Sequence, residues 1–254
     1  MIACIDVQPD VAVAEAEYTR LLGYPPGVVL EGRAAELAAQ AGEWYARRGR
    51  PWVYARRADT VDLGASSVHI DGVAFTARRL RTMIQRSNAH QVMLVAVGAG
   101  PELEAHAAAL WRDERPDEYF FLDVYGSAVV EHLIAATGAR LCRWAEERTL
   151  AALPHDSPGY PGWDVSEQPR LLALLKDGCD AHAWPGPLEA LDSGALRPTT
   201  SQLAVFGLTR YTDRLDRRAG TLPCAECPFE PCAYRRTPYM TRCARVTAPG
   251  MVRQ

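Results

Sequence analysis

The sequence predicts an α+β domain followed by a separate cysteine-rich tail. Three observations lead there. Helical and strand patterns interleave along the chain, but not as the regular βαβ units of a doubly wound sheet. The chain has 254 residues and 48% hydrophobic content, enough for one large core or two small ones. Four of the seven cysteines crowd into residues 220–254, a proline-rich stretch unlike the rest. The expected division is therefore a domain over residues 1–219 and a tail over 220–254.

The elements follow in order. Residues 11–22, VAVAEAEYTRLL, read as a helix stopped by Gly23 with Pro25 beyond it. Residues 32–48 read as a second helix, Ala-rich and basic in its last turn. Residues 51–57 and 66–70 alternate as strands do. Residues 76–86 read as a helix opened by a Thr76 cap. The run QVMLVAV at 91–97 is a buried strand, and Pro101 starts a helix through Arg112. Residues 117–148 form a long helix with kinks expected near Gly126 and Gly138. Residues 154–163, PHDSPGYPGW, hold three prolines and two glycines and read as a rigid loop. Residues 166–176 are a helix, and 199–208 the last clear strand.

Composition excludes several functions. A net charge of −3 argues against a protein that coats nucleic acid. No stretch reads as the ~18–20 apolar residues of a membrane helix, so no membrane partner is expected. The opening MIACIDVQPD has neither the basic nor the apolar region of a secretory signal. An odd cysteine count disfavours a disulfide framework, and a reducing cytoplasm is the expected compartment. No phosphate-binding loop, nucleophile elbow or paired metal histidines occur; Gly98-Ala99-Gly100 lacks the third glycine of a dinucleotide fingerprint.

Three segments carry candidate chemistry. The loop His155-Asp156-Ser157-Pro158-Gly159-Tyr160-Pro161-Gly162-Trp163 is stiffened by proline, and its glycines allow close approach of a ligand. It is either the rim of a small-molecule site or a surface turn that packs two aromatics onto the core. The stretch Asp123–Glu131 places Ser127 and Glu131 one turn apart on a helix face. Glu131 there either holds a ligand ammonium or forms a solvated acidic edge. Finally, Cys224-x2-Cys227-x4-Cys232-x10-Cys243 gathers four thiols. Four thiolates suit a tetrahedral zinc site or an iron–sulfur cluster, and the spacing does not decide between them; two disulfides or unrelated free thiols are the alternative. Cys4, Cys142 and Cys179 lie apart and read as buried structural thiols.

Taken in order, these segments resemble the activation domain family of cobalamin-dependent methionine synthase, above all its free-standing members. The likeness rests on Arg20–Tyr24, on Gln91–Gly98 with Pro101–Glu104, on Phe121–Glu131, on Ser157–Trp163 and on Leu191–Leu208. It spans about residues 15–215, and the tail around Cys232-Ala233-Tyr234-Arg235-Arg236 looks like that of some stand-alone members.

The resemblance implies a twisted, mainly antiparallel sheet flanked by helices, with S-adenosylmethionine bound in a shallow groove. It implies docking on a cobalamin-binding protein or methionine synthase subunit. There, oxidised cobalamin takes one electron, from a donor such as flavodoxin or ferredoxin, and then a methyl group. No nucleophile or general base is expected on this chain. Ser157, Gly159 and Tyr160 match the family's cofactor-binding turn, and Glu131 matches an acidic contact. His155 stands where the family has an arginine for the methionine carboxylate. An imidazole offers at most one hydrogen bond and is mostly neutral at pH 7, so another group such as Arg197 would share that task. The alternative is a docking module that no longer binds S-adenosylmethionine.

Overall fold

The computed structural model describes residues 3–177, 179 and 183–211. In chain order the elements are β1 (Ala3–Asp6), α1 (Glu15–Leu21), α2 (Gly32–Arg48), β2 (Trp52–Arg57), β3 (Val61–Leu63), β4 (Val68–Ile70) and β5 (Val73–Phe75). They continue with α3 (Arg78–Ser87), β6 (Gln91–Gly98), α4 (Pro101–Arg112), α5 (Pro116–Glu146) and β7 (Ala151–Asp156). A 3₁₀ turn (Val165–Glu167), α6 (Gln168–Lys176), β8 (Glu189–Ala190), β9 (Leu196–Arg197) and β10 (Ser201–Thr209) complete them.

The fold is α+β. Five strands form an antiparallel sheet in the order β1-β2-β6-β10-β7. Both faces are covered, which is why β6 and β10 read as nearly unbroken apolar runs. Period-two alternation divides their side chains between two cores. Val95, Val97, Ala204 and Phe206 pack under α1, α2, α4 and α5. Leu94, Ala96, Leu203 and Val205 pack under α3, α6 and the small β3-β4-β5 sheet.

Helix ends follow local chemistry. Pro101 and Pro116 occupy the first turns of α4 and α5, followed by Glu102 and Glu104 or by Asp117 and Glu118. α3 ends on Asn88 in the left-handed region. Contrary to the sequence reading, α5 is long and apolar enough to cross a membrane, but half of its most apolar stretch is buried in the fold. It packs as a core helix.

Several expectations need correction. The first helix starts at Glu15, four residues late. α5 is continuous through Gly126 and Gly138. Both glycines are points of close packing. A methyl group on Gly126 would come within 2.7 Å of Thr200 and 2.8 Å of Leu103; one on Gly138 would lie 3.2 Å from the Phe206 ring. Thr76 does not cap α3: its amide and hydroxyl both bond Glu167. β7 extends through Pro154 to Asp156, inside the stretch expected to be irregular. Proline is tolerated because β7 is an edge strand and is bulged there, with Leu153 and Pro154 facing the single residue Gly207. Cys4 and Cys142 are exposed and Cys179 is half-buried, so none is a sealed core thiol.

Candidate functional site

The repeated Pro-Gly of the loop after β7 builds two turns in tandem. Tyr160 N–H donates to the Ser157 carbonyl at 3.0 Å, across Pro158-Gly159. Trp163 N–H donates to the Tyr160 carbonyl at 3.0 Å, across Pro161-Gly162. Gly159 and Gly162 have φ of +94° and +88°. Proline second and a positive-φ glycine third define type II turns, so the sequence dictates this shape. The Gly162 carbonyl accepts from Arg78 N–H, which ties the loop to the start of α3.

The two aromatics of the loop part company. Trp163 is buried at 2% exposure, lies edge-on to Phe75 and donates from Nε1 to Glu167 at 2.8 Å. It is a core residue, not the ligand-facing rim that was one reading of the loop. Tyr160 stays half-buried and joins a polar cluster. Gln202 Nε2 donates to Ser157 Oγ and to Tyr160 Oη, each at 3.1 Å. Tyr160 Oη lies 3.1 Å from His155 Nε2. The His155 ring also packs on Phe206, its direct neighbour on β10, with centroids 5.4 Å apart.

Glu131 reaches the same neighbourhood from α5. It precedes Gly138 by seven residues, hence about 20° around the helix and about 10 Å along it. Gly138 lies on Phe206 and Gly126 on Thr200, so α5 runs alongside β10 in the same direction. A step of about 10 Å back from Phe206 is about three strand residues, which sets half-buried Glu131 beside the stretch Gln202–Ala204. Thus His155, Ser157 and Tyr160 are brought together at the β7–β10 edge with Gly159 in the turn between them, and Glu131 lies about 20° round α5 from Gly138, the glycine that packs on Phe206. Arg197 is not among them: it is 60% exposed and pairs with Glu189 at 3.1 Å.

Behind the cluster stands a buried ionic clamp. Asp156, with no exposed surface, accepts from Leu80 N–H at 2.9 Å and from Arg79 at 3.2 Å. Arg79 also donates to the His155 carbonyl at 3.1 Å. Burial pushes the Asp156 carboxyl up from its ordinary range, while Arg79 and the amides of Leu80 and Ser157 pull it back. Asp156 therefore caps α3 from a strand far away in sequence.

Sequence reasoning missed Gln202 and the clamp. A polar residue inside the apolar run 201–209 was the available signal for Gln202. Asp123, Tyr125 and Ser127, read beside Glu131, divide differently. Tyr125 packs on Tyr18 and Tyr45, with centroids 5.1 and 5.6 Å away, and serves the core. Burial raises the carboxyl of Asp123.

A cavity of about 340 Å³ lies elsewhere, among Leu37, Trp44, Arg47, His106, Arg115 and Glu118. Trp44 and His106 stack there at 4.5 Å, and the rim charges pair with one another, Arg47 with Glu43 and Arg115 with Glu118. It contains none of the candidate site residues read from the sequence. Among the described residues no group of three or more His, Cys, Asp or Glu is placed to hold a metal ion. Cys224, Cys227, Cys232 and Cys243 lie outside the described residues.

No family model matches the chain, and no curated protein matches it. Among solved structures the fold is similar to that of the MetH reactivation domain bound to AdoHcy. The TM-score is 0.54 and the identity 13%, over 75% of this chain and 69% of that one. At this identity the likeness establishes a shared fold.

Proposed function

We propose that this chain binds S-adenosylmethionine at the β7–β10 edge beside α5 and supports reductive reactivation of a cobalamin methyltransferase. The observation that carries the reading is the tandem turn Ser157–Trp163, held at the sheet edge by Gln202. It stands in a fold similar to that of a domain solved with AdoHcy bound.

In this reading the residues bind and orient and do not exchange protons with the reactants. Glu131 faces the ligand ammonium. The turn at Gly159 and Tyr160 presents backbone groups, and exposed Gly159 leaves room for close approach. The partner, a cobalamin-binding protein or methionine synthase subunit, supplies the cobalamin. A flavodoxin or ferredoxin supplies one electron, and the methyl group passes from sulfonium sulfur to cobalt, leaving S-adenosylhomocysteine. The chain's contribution is alignment of the two reactants. The four tail cysteines belong to the same proposal as a zinc or iron–sulfur site. Metal analysis of the purified chain should return about one zinc, or iron with sulfide, and Cys224→Ser with Cys227→Ser should abolish it.

A second reading, docking without methyl-donor binding, draws on one observation. His155 spends Nε2 on Tyr160 and lacks the fork that an arginine offers a carboxylate. Calorimetric titration with S-adenosylmethionine separates the two, using the native chain and His155→Arg. Micromolar binding by the native chain supports the first reading. Binding only after the substitution supports the second.

A further inference from the structure

We infer that Gln202 is a specificity-determining residue of this site, and that its side-chain carbonyl accepts a hydrogen bond from the primary ammonium of an amino-acid-bearing ligand. The inference rests on the reading above that the β7–β10 edge binds such a ligand.

The argument starts from the amide. Both N–H bonds of Gln202 Nε2 are committed, one to Ser157 Oγ and one to Tyr160 Oη. Two bonds from one planar group leave it no free rotation. Oε1 is therefore aimed in a set direction, and among the described residues it has no hydrogen-bond partner. It is also not sealed in the core. An oriented, accessible carbonyl of this kind selects for a donor.

The helix opposite identifies the donor. Glu131 lies about 20° round α5 from Gly138, which packs on Phe206, and about 10 Å back along the helix, beside the Gln202–Ala204 stretch of β10; an anionic acceptor and a neutral one thus border neighbouring space. A primary ammonium has three N–H donors and a positive charge, and it is best satisfied by several acceptors of which at least one is charged. An exocyclic aromatic amine is neutral and gains little from the carboxylate. Gln202 thus distinguishes ligands with an amino-acid end from nucleosides that lack it.

The test compares two ligands on three proteins by calorimetry. S-adenosylhomocysteine carries the ammonium; methylthioadenosine shares the nucleoside and thioether and lacks the amino-acid end. Gln202→Leu should weaken S-adenosylhomocysteine roughly tenfold or more, the loss of a hydrogen bond to a charged group, and shift methylthioadenosine less than about twofold. Gln202→Glu keeps an acceptor, and the Ser157 and Tyr160 hydroxyls can donate to it. It should hold S-adenosylhomocysteine within about threefold of native. Equal weakening of both ligands by Gln202→Leu, or no weakening, overturns the role of Gln202 and leaves the site standing. Failure of the native chain to bind S-adenosylhomocysteine overturns both. Should Gln202→Leu fail to fold by circular dichroism, the ratio of the two affinities in Gln202→Glu decides, and a collapse of that ratio overturns the inference.

Discussion

His155 and Asp156 are consecutive residues of one strand, and they live in opposite kinds of environment. Strand alternation sends the Asp156 side chain towards α3 and the His155 ring towards Phe206 and α5. On the α3 side the groups are ionic, and one member of each pair, Asp156 or Arg56, is buried. Asp156 meets Arg79, and Arg56, 2% exposed, reaches the Leu174 carbonyl at 2.6 Å and Asp71 at 3.0 Å. On the α5 side the cluster is built from an imidazole, a phenol, a hydroxyl and an amide, with the phenol and imidazole half-buried. A buried charge has no cheap alternative partner, so it holds elements rigidly. Neutral groups can accept a ligand as a further partner without stranding a buried charge, which is what a ligand site requires. The charged side anchors the strand and loop; the neutral side is left to bind.

The comparison breaks most visibly at Asp156. Asp156→Ala strands Arg79 and frees the Leu80 amide at the first turn of α3. Losing one partner of a buried pair should cost about 3 kcal/mol of stability in urea denaturation. A cost below about 1 kcal/mol would mean that the ionic side is not the anchor.

A subtler change at the same position sharpens the contrast through pH. Burial raises the Asp156 carboxyl, so the folded protein holds that proton more tightly than the unfolded chain. Between the ordinary aspartate value and the raised one, the folded state binds more protons, and this contribution to stability falls as pH rises. Asp156→Asn removes the titration. The melting temperature of the native protein relative to Asp156→Asn should therefore decline as pH increases through that window. The other carboxylates titrate in both proteins and cancel in the difference. A flat difference would show that Arg79 and the two amides fully offset burial.

Much of the fold was legible, and the logic of the anchor was not. The strand at 91–98, the helix from Pro101 to Arg112 and the helix at 32–48 follow from local pattern and punctuation. So does the double turn, because two Pro-Gly pairs at three-residue spacing leave few other conformations. The α3 cap was misread because Thr76 is local and Asp156 is not; capping by a distant strand has no signature in a window of a dozen residues. The short strands β3, β5, β8 and β9 are two or three residues long and exist through their pairing. The site divides the same way. Ser157, Gly159 and Tyr160 come together because they are neighbours in sequence. Gln202 and Glu131 arrive on separate elements, and Trp163, beside Tyr160 in the loop, turns the other way into the core.

The smallest expected change in stability is on the neutral side, at Tyr160→Phe. The substitution keeps the ring and removes one oxygen, the atom that accepts from Gln202 and meets His155. Neither partner is sealed from water, so solvent can replace the lost bonds and stability should move by about 1 kcal/mol or less. The pH behaviour set by Asp156 should not move, since its partners Arg79 and Leu80 lie on the other face. Ligand binding should still suffer. Without Tyr160 Oη the Gln202 amide keeps only its bond to Ser157, and its carbonyl is no longer held in one direction. S-adenosylhomocysteine affinity should fall several-fold, roughly the value of one oriented hydrogen bond, while the melting temperature of the free protein changes little. Loss of stability comparable to Asp156→Ala would contradict the division, because the two faces of β7 would then share one structural task.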